Sequence, residues 1–331
     1  MEFVGIGDLH LSSQNGHGGF SRFVDDSDGY ILSEVQRVID LAVEKGIEKA
    51  IIYGDVCDAV RMSYRAHLQL VDFFRRNKDI DFHVILGNHD KFAKDSHLGH
   101  SCEVLQQFRL KNLTVYDQPK TVKFADGSRV NFLPFPFSNF KKCLNVCHLD
   151  LAGAPMDNGK PTKSDVTSKG YHVVSGHIHS SSSFRNTYYS GTLYQLNFGE
   201  DVDRKGFHFI ECDAADAEVT YVPFLPRYQL RTVIVENPAI LETLQRENIF
   251  YRLLVPEDAD EVDASLYASL NVVDVKRWGS KTELADLQSL TLEFEELNLD
   301  VNAVLKTILS SQYKDDAKRI LKVRSRILSR T

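Results

Sequence analysis

The sequence has few cysteines, and their spacing fits no disulfide framework. There are five in 331 residues, an odd number, and no two form a Cys-x-x-Cys pair. Secreted disulfide-bonded domains carry an even and denser set, whereas reduced thiols are usual in the cytoplasm. We therefore expect free thiols and a cytoplasmic protein. The cysteines are Cys57, Cys102, Cys143, Cys147 and Cys212.

Long apolar runs and an excess of basic residues are also missing. No stretch approaches the roughly 18 uninterrupted apolar residues of a membrane-spanning helix. Residues 1–10 lack the basic start and long apolar run of a signal peptide. The net charge is −7 and the pI about 6.0, so bulk charge does not attract nucleic acid. We expect no membrane association, and any attraction for phosphates must come from local basic patches or bound cations.

What is present begins with alternating strands and helices. Phe3–Gly7, Ile47–Tyr53 and Phe82–Leu86 are short apolar runs typical of buried strands. Between them, apolar residues recur at helical spacing in residues 31–43 and 64–77. This βαβαβ order predicts a parallel sheet covered by helices.

The pattern then changes to short strands separated by turns. Asp126-Gly127, between two of them, is typical of a hairpin. The βαβαβ region and the short strands after it together predict an α/β fold with a two-layer, β-sandwich-like core flanked by helices. Its later strands are expected at Leu113–Tyr116, Thr121–Phe124, Arg129–Leu133, Leu144–Cys147, Tyr171–Ser175, Phe184–Tyr189, Phe207–Glu211 and Val219–Val222.

Pro223-Phe224-Leu225-Pro226 interrupts the chain, and we place a domain boundary there. Residues 1–226 form the expected core domain, which leaves enough chain for smaller units. Residues 227–285 are predicted to be a small α/β unit, with a helix near 240–246 and strands at Leu230–Val235, Phe250–Val255 and Val272–Trp278. Residues 286–331 are predicted to be helical, because their apolar residues recur at helical spacing.

Polar residues follow five of the apolar runs, and their atoms suit a metal site. The carboxylate, imidazole and amide donors favour Mn²⁺, Zn²⁺ or Fe²⁺ over ions that prefer thiolates. In extended backbone, alternate side chains point the same way, so Asp8 and His10 are expected to face one ion together, as are His177 and His179. The motifs are Asp8-x-His10, Gly54-Asp55, Gly87-Asn88-His89-Asp90, His148 and Gly176-His177-x-His179.

These motifs hold more donors than one metal ion needs, with seven in the set that we predict as ligands. We therefore expect two ions. A carboxylate can offer oxygens to two cations, which makes Asp55 the natural bridge. Two cations about 3.5–4 Å apart suit phosphoryl transfer, because they polarise the phosphate and lower the pKa of a water. The glycines before Asp55, Asn88 and His177 are expected to let the backbone turn tightly near the ions.

This ordered set of motifs resembles the calcineurin-like metallophosphoesterase superfamily. Within it, the chain resembles SbcD-type nucleases, the exonuclease subunits of DNA double-strand-break repair. Gly54-Asp55-Val56-Cys57-Asp58 is similar to the second motif of that group. Tyr189-Ser190-Gly191-Thr192 and Phe198-Gly199-Glu200 are similar to its segment after the last histidine motif. The chain length is closer to that of phage-encoded members, which implies a host cytoplasm as its location.

The resemblance implies two divalent ions, with Mn²⁺ expected and Mg²⁺ as the alternative. One ion would take Asp8, His10, Asp55 and His179, and the other Asp55, Asn88, His148 and His177. His89 would contact the scissile phosphate and protonate the leaving oxygen instead of binding metal, which suits a residue with a pKa near 7. Asp58 and Asp90 are both candidates for the residue that orients His89.

The resemblance also implies partners. SbcD-type subunits form homodimers and act on DNA with an SbcC-like ABC-type ATPase that carries long coiled coils. Residues 227–285 would be the capping, DNA-binding domain, and the helices of 286–331 would bind the ATPase. Residues 64–75 and 98–108 are the candidate dimer helices. The basic residues of 314–331 could meet DNA, an acidic coiled coil or only solvent.

The leading hypothesis is therefore a metal-dependent DNA exonuclease or endonuclease subunit in DNA end processing, recombination and repair. A phosphatase or cyclic-nucleotide phosphodiesterase could use the same site, although the additional C-terminal domains argue against it. A non-catalytic scaffold is the third hypothesis, and the complete set of ligands argues against it. Activity on duplex DNA, single-stranded DNA and a phosphate monoester distinguishes the three.

Overall fold

Two six-stranded mixed sheets pack against each other in the computed structural model of this chain. The structure describes residues 1–12, 24–91, 99–157, 159–235, 237–245, 247–256 and 270–278. These residues lie within one unit, Met1–Ser280. Within them, no helix is long and apolar enough to span a membrane. The fold is thus mixed α/β, as the sequence predicts.

The first sheet has the strand order β12-β11-β1-β2-β3-β4. Strands β1 to β4 are parallel, and β11 and β12 extend the sheet beyond β1 in antiparallel pairing. The parallel part is the predicted βαβαβ region. The bounds are β1 Glu2–Ile6, β2 Lys49–Ile52, β3 Asp81–Ile85, β4 Leu113–Tyr116, β11 Gly206–Cys212 and β12 Ala217–Pro223.

The second sheet has the order β5-β6-β7-β8-β10-β9, with parallel pairing from β6 through β10 and antiparallel edges. The predicted hairpin between β5 and β6 is confirmed. Asp126 accepts hydrogen bonds from the Ser128 backbone and hydroxyl, and Gly127 takes a φ of +89°. The bounds are β5 Lys120–Lys123, β6 Arg129–Leu133, β7 Leu144–Cys147, β8 Val173–Ser175, β9 Ser182–Phe184 and β10 Thr187–Tyr189.

The predicted single strand Phe184–Tyr189 is wrong, because the chain turns within it. Arg185 has a φ of +52°, and Thr187 pairs with Phe184 across a tight hairpin between β9 and β10. Asn186 in that turn donates its amide hydrogen bond to the Gly170 carbonyl. The turn consists of Arg185 and Asn186 and contains neither glycine nor proline, so it left no strong signal in the sequence.

The two sheets share an apolar core, and helices cover the outer face of the first sheet. Helix α1 spans Ser27–Glu44, α2 spans Tyr64–Arg76 and α3 spans Glu103–Gln107. Asp26 and Ser63 cap the first two by accepting backbone N–H bonds, which the ends of helices otherwise leave unpaired. Both long helices fall where the apolar spacing predicts them.

A third, three-stranded parallel sheet follows the core. Its strands are β13 Gln229–Ile234, β14 Ile249–Pro256 and β15 Asn271–Trp278, close to the predicted positions. The helix predicted near residues 240–246 is a 3-10 helix over Pro238–Thr243. We call residues 229–278 the cap sheet.

The predicted domain boundaries stay predictions, and the predicted helices of 286–331 lie outside the described residues.

Gln195 joins the core to the cap sheet, since its side chain exchanges hydrogen bonds of 2.9 Å with both backbone groups of Leu230. Arg252 of β14 also places its guanidinium 4.5 Å from the ring centre of Phe198.

His208 on β11 is a fully buried histidine away from the strand ends that carry the motifs. It is 1% exposed, and the Tyr53 hydroxyl lies 3.1 Å from its Nδ1. Burial lowers the pKa of His208 from 6.5 to about 3. Its imidazole is therefore neutral in the folded chain at pH values where the unfolded chain binds a proton.

We predict that His208 makes the fold less stable in mild acid. Because its folded pKa is depressed, stability is lost as pH falls below 6.5, and the loss continues towards pH 3. Between pH 7.5 and 5.5 this residue should cost about 1.4 kcal/mol of unfolding free energy. Urea unfolding at both pH values should show that His208→Gln removes this part of the pH dependence. Tyr53→Phe keeps the buried imidazole and should retain it, and equal pH dependence in wild type and His208→Gln would contradict the prediction.

Candidate metal centre

The seven predicted metal ligands and His89 lie together where the parallel strands of both sheets end. Open α/β sheets place ligand sites at the carboxyl ends of their strands, and here two sheets contribute to one such edge. Backbone contacts join the turns, since His177 N–H donates to Asp8 Oδ2 at 2.9 Å. The residues follow β1 (Asp8, His10), β2 (Asp55), β3 (Asn88, His89), β7 (His148) and β8 (His177, His179).

One group of donor atoms surrounds His10 Nε2. His179 Nε2 lies 3.2 Å from it, Asp55 Oδ2 3.9 Å and Asp8 Oδ2 4.0 Å. Asp8 Oδ2 is also 3.5 Å from His179 Nε2. An ion bound at about 2.1 Å holds its ligand atoms about 3–4 Å apart. The spacing of this first group therefore fits one cation.

A second group surrounds His148 Nε2. Asn88 Oδ1 lies 3.0 Å from it and Asp55 Oδ2 3.1 Å. His177 Nδ1 is 3.0 Å from the same Asn88 oxygen. Asp55 Oδ2 therefore belongs to both groups, while Asp55 Oδ1 accepts a 2.8 Å hydrogen bond from His89 N–H. A single oxygen is thus placed between two sets of donors.

The other nitrogen of three imidazoles faces a hydrogen-bond acceptor. His10 Nδ1 lies 3.0 Å from Asp58 Oδ1, His148 Nδ1 2.8 Å from the Tyr53 carbonyl, and His179 Nδ1 3.3 Å from Glu200 Oε1. These acceptors hold the proton on Nδ1 and turn the Nε2 lone pairs towards the cluster. The Nε2 atoms of His10 and His179, 3.2 Å apart, can share a proton or face one cation together. With the carboxylates beside them, this donor set fits a divalent ion.

The pKa shifts show how strongly this cluster attracts positive charge. Burial lowers the pKa of His148, but the carboxylates of Asp55 and Asp8 outweigh it and raise that pKa to about 10. Burial raises the pKa of Asp55, and the neighbouring imidazole of His148 reverses this and lowers it far below its usual range. Burial and the charge of His148 lower the pKa of His177 to about 4. A metal ion would compete with protons for these sites.

The backbone at the ligands is not extended, so one part of the sequence argument is wrong. His10, Asp55 and His177 have φ values of +48°, +42° and +80°, a region that non-glycine residues rarely adopt. The ligand pairs therefore come together in tight turns beyond the strands. The N–H groups of Leu9 and His10 donate to the Asp55 carbonyl at 3.0 and 2.9 Å, which holds two of these turns together.

The glycine before Asn88 serves close approach, as predicted. A Cβ on Gly87 would lie 2.0 Å from Asp55 Oδ1, so only glycine lets that carboxylate reach both groups. Gly54 combines a φ of +100° with a position where a Cβ would lie 2.6 Å from His148 Nδ1. These turns need glycine so that side chains from neighbouring strands can meet.

His89 lies beside the first group and is 31% exposed. Its ring centre is 5.0 Å from that of His10. Its Nδ1 atom lies 2.8 Å from the backbone carbonyl oxygen of Asp58 and 3.8 Å from the carboxylate of the same residue. Of the two candidates for orienting His89, the structure therefore places Asp58 and not Asp90 beside its imidazole.

Asp90 instead ties two turns together. Its fully buried carboxylate accepts hydrogen bonds from Gly87 N–H at 2.9 Å, Cys57 N–H at 3.1 Å, Val56 N–H at 3.3 Å and the Ser101 hydroxyl at 2.9 Å. Burial and the nearby charge of Asp55 raise the pKa of Asp90. The residue holds the turn after β2 against the turn after β3.

The sequence argument left Glu200 and Lys205 without individual roles. Both are buried, and Glu200 accepts a hydrogen bond from Lys205 behind His179. In the sequence both lie in the charged stretch of residues 200–205, where nothing distinguishes them from solvent-exposed charges. Only the fold shows that the two side chains meet.

We predict that Asp90→Ala destabilises the fold by about 3 kcal/mol, because it leaves several buried donors without an acceptor. Ser101→Ala removes only one of the four hydrogen bonds and should cost about 1 kcal/mol. Urea unfolding of the two variants and wild type measures both values. A cost for Asp90→Ala no larger than that for Ser101→Ala would contradict the structural role.

Two comparisons with known proteins agree with this geometry. The family described as calcineurin-like phosphoesterase matches residues 1–203, a range that contains every residue of both donor groups. The chain is also 27% identical over 248 residues to exonuclease subunit 1 of Enterobacteria phage T4, a match that covers 68% of each sequence. Members of the matched family bind divalent metal ions. This chain belongs to the calcineurin-like phosphoesterase family and is a distant homologue of the phage T4 protein.

Proposed function

We propose that this chain is the nuclease subunit of a DNA-processing complex and uses two divalent metal ions. The observation that carries the proposal is the single oxygen, Asp55 Oδ2, placed between two groups of donors. One ion is held by Asp8, His10, Asp55 and His179. The other is held by Asp55, Asn88, His148 and His177. The donors include no thiolate and suit Mn²⁺, Zn²⁺ or Fe²⁺. The resemblance to SbcD-type nucleases favours Mn²⁺ among them, with Mg²⁺ as the alternative.

When bound, the ions supply Lewis-acid polarisation of the phosphate and a water of lowered pKa. The protein contributes the arrangement of the donors and a proton. His89 Nδ1–H donates a hydrogen bond to the carbonyl of Asp58. In the imidazolium form the second proton is on Nε2, and this is the proton that passes to the leaving oxygen, which leaves a neutral imidazole. Its partial exposure lets a phosphodiester reach it.

Two observations support a DNA substrate and partners. The phage relative is named an exonuclease and a subunit, which favours a nuclease that works with another chain. Exposed apolar side chains lie on α2 and at both ends of α3, which fits the proposed homodimer helices. The proposal includes residues 227–285 as the capping domain, residues 286–331 as the segment that binds an SbcC-like ATPase, and a cytoplasmic location. The exposed side chains are Tyr64, Leu68, Val104 and Phe108.

A phosphatase or cyclic-nucleotide phosphodiesterase on the same site is the second candidate. The observation that favours it is the family itself, which the chain matches over residues 1–203 without reference to DNA. A scaffold without activity is the third, and the complete donor set argues against it.

We predict Mn²⁺-dependent hydrolysis of linear duplex or single-stranded DNA, with little hydrolysis of a phosphate monoester. His89→Ala should lower the rate about 10²- to 10⁴-fold, because the leaving oxygen loses its proton donor. His172→Ala is the control, since that imidazole pairs with Asp216 just before β8 begins, at the opposite end of the strand from His177. Hydrolysis of the monoester alone would favour a phosphatase, and no hydrolysis of any substrate would favour a scaffold.

We also predict two Mn²⁺ ions per chain in calorimetric titration of the metal-free protein. Asp55→Ala should weaken both, because Asp55 Oδ2 lies in both donor groups. Asn88→Ala should weaken one ion and leave the other, since its amide oxygen contacts only the second group. Circular dichroism checks that each variant is folded. Unchanged binding of two ions by Asp55→Ala would refute the shared ligand.

A further inference from the structure

A buried ion pair lies directly behind His179, and no step of the proposed chemistry uses it. The side chain of Glu200 is 2% exposed and that of Lys205 is fully buried. Removing two charges from water costs several kcal/mol per ion unless their contacts compensate. The contacts of this pair therefore indicate what it does.

Glu200 contacts the ring of His179. Its Oε1 lies 3.3 Å from His179 Nδ1 and accepts a hydrogen bond of 3.1 Å from the Asn197 amide. Its Oε2 accepts from Leu196 N–H at 3.1 Å and from the Lys205 ammonium. Each carboxylate oxygen therefore has two partners, which leaves the group no freedom to turn away from the imidazole.

Lys205 contacts the backbone of the same residue. Its ammonium donates to the His179 carbonyl at 2.9 Å and to the Thr192 hydroxyl at 2.8 Å, besides Glu200. These three acceptors use all three ammonium hydrogens. The pair therefore holds His179 at two points, the carbonyl through Lys205 and the ring through Glu200.

We propose that Glu200, fixed by Lys205, is a positioning residue that keeps the His179 proton on Nδ1 and its Nε2 lone pair directed at the first donor group. This inference rests on the proposed metal centre and extends it to a residue outside the ligand set. Metal-binding histidines depend on such acceptors at their other nitrogen. The acceptor that faces His179 Nδ1 is Glu200 Oε1, on a side chain that is 2% exposed.

The neutral isostere should reverse this arrangement. In Glu200→Gln the single amide oxygen can face either the side with His179 Nδ1 and the Asn197 amide or the side with the Lys205 ammonium and Leu196 N–H. The positive charge attracts the amide oxygen, so the NH₂ group turns to His179 Nδ1. That nitrogen then has to accept, the proton moves to Nε2, and the lone pair for the ion is lost.

Calorimetric titration of Mn²⁺ into the full-length, metal-free protein tests this. Glu200→Gln should bind one ion with wild-type affinity and the other about 10- to 100-fold more weakly. Glu34→Gln is the matched control, because Glu34 is also a fully buried glutamate and is paired with Arg37 and Arg227 away from the site. It should lower the unfolding temperature and leave both affinities unchanged. If Glu200→Gln does not fold, Glu200→Asp keeps the charge, withdraws it by about 1.5 Å, and should weaken the same ion.

Wild-type affinity for both ions in a folded Glu200 variant would overturn the proposal. An equal loss at both sites, or the same loss in Glu34→Gln, would also overturn it, because either result would mean a general effect on the fold. The titration does not depend on hydrolysis. Two bound ions without DNA cleavage would refute the nuclease function and still decide the role of Glu200.

Discussion

The carboxylate and carbonyl of Asp55 join the turns of both sheets, and the site depends on that junction. The carbonyl accepts from the turn after β1, and Oδ1 accepts from His89 N–H in the turn after β3. Oδ2 then reaches His148 after β7, on the second sheet. Because each acceptor has a separate partner, a displacement of Asp55 would disturb three turns at once. The unusual backbone of this residue, with a φ of +42°, is maintained by these contacts.

The same edge buries several carboxylates, and each is balanced in a different way. Asp90 is surrounded by backbone N–H groups, which hold a turn without any cation. Glu200 is balanced by the Lys205 ammonium. Asp8 and Asp55 have imidazoles beside them, whose own charge varies with protons or metal ions. Of the carboxylates named here, Asp8 and Asp55 are therefore the pair whose neighbouring groups can exchange a proton for a metal ion.

The residues that meet at the strand ends could be predicted from sequence because each follows an apolar run that ends in a short polar motif. The parallel order of β1, β2 and β3 was predictable for the same reason. The tight turns at His10 and His177 were not, since a left-handed φ leaves no mark on residues other than glycine. The hairpin at Arg185 was hidden because its two-residue turn, Arg185-Asn186, contains neither glycine nor proline. The pairing of Glu200 with Lys205 depends on the path of the chain between β10 and β11, which no local pattern specifies.

Gln195 makes the cap sheet part of the metal site's surroundings. Its amide nitrogen donates to the Leu230 carbonyl at 2.9 Å and to the Glu200 carbonyl at 2.7 Å, while its oxygen accepts from Leu230 N–H. One side chain therefore spans from β13 to the residue whose carboxylate contacts His179. A ligand that displaced β13 and, through Gln195, Glu200 would change the affinity of the site for a cation. Because thermodynamic linkage is reciprocal, the cation would change the affinity for that ligand by the same factor. The side-chain amide of Gln195 thus connects strand β13 directly to the segment that carries Glu200.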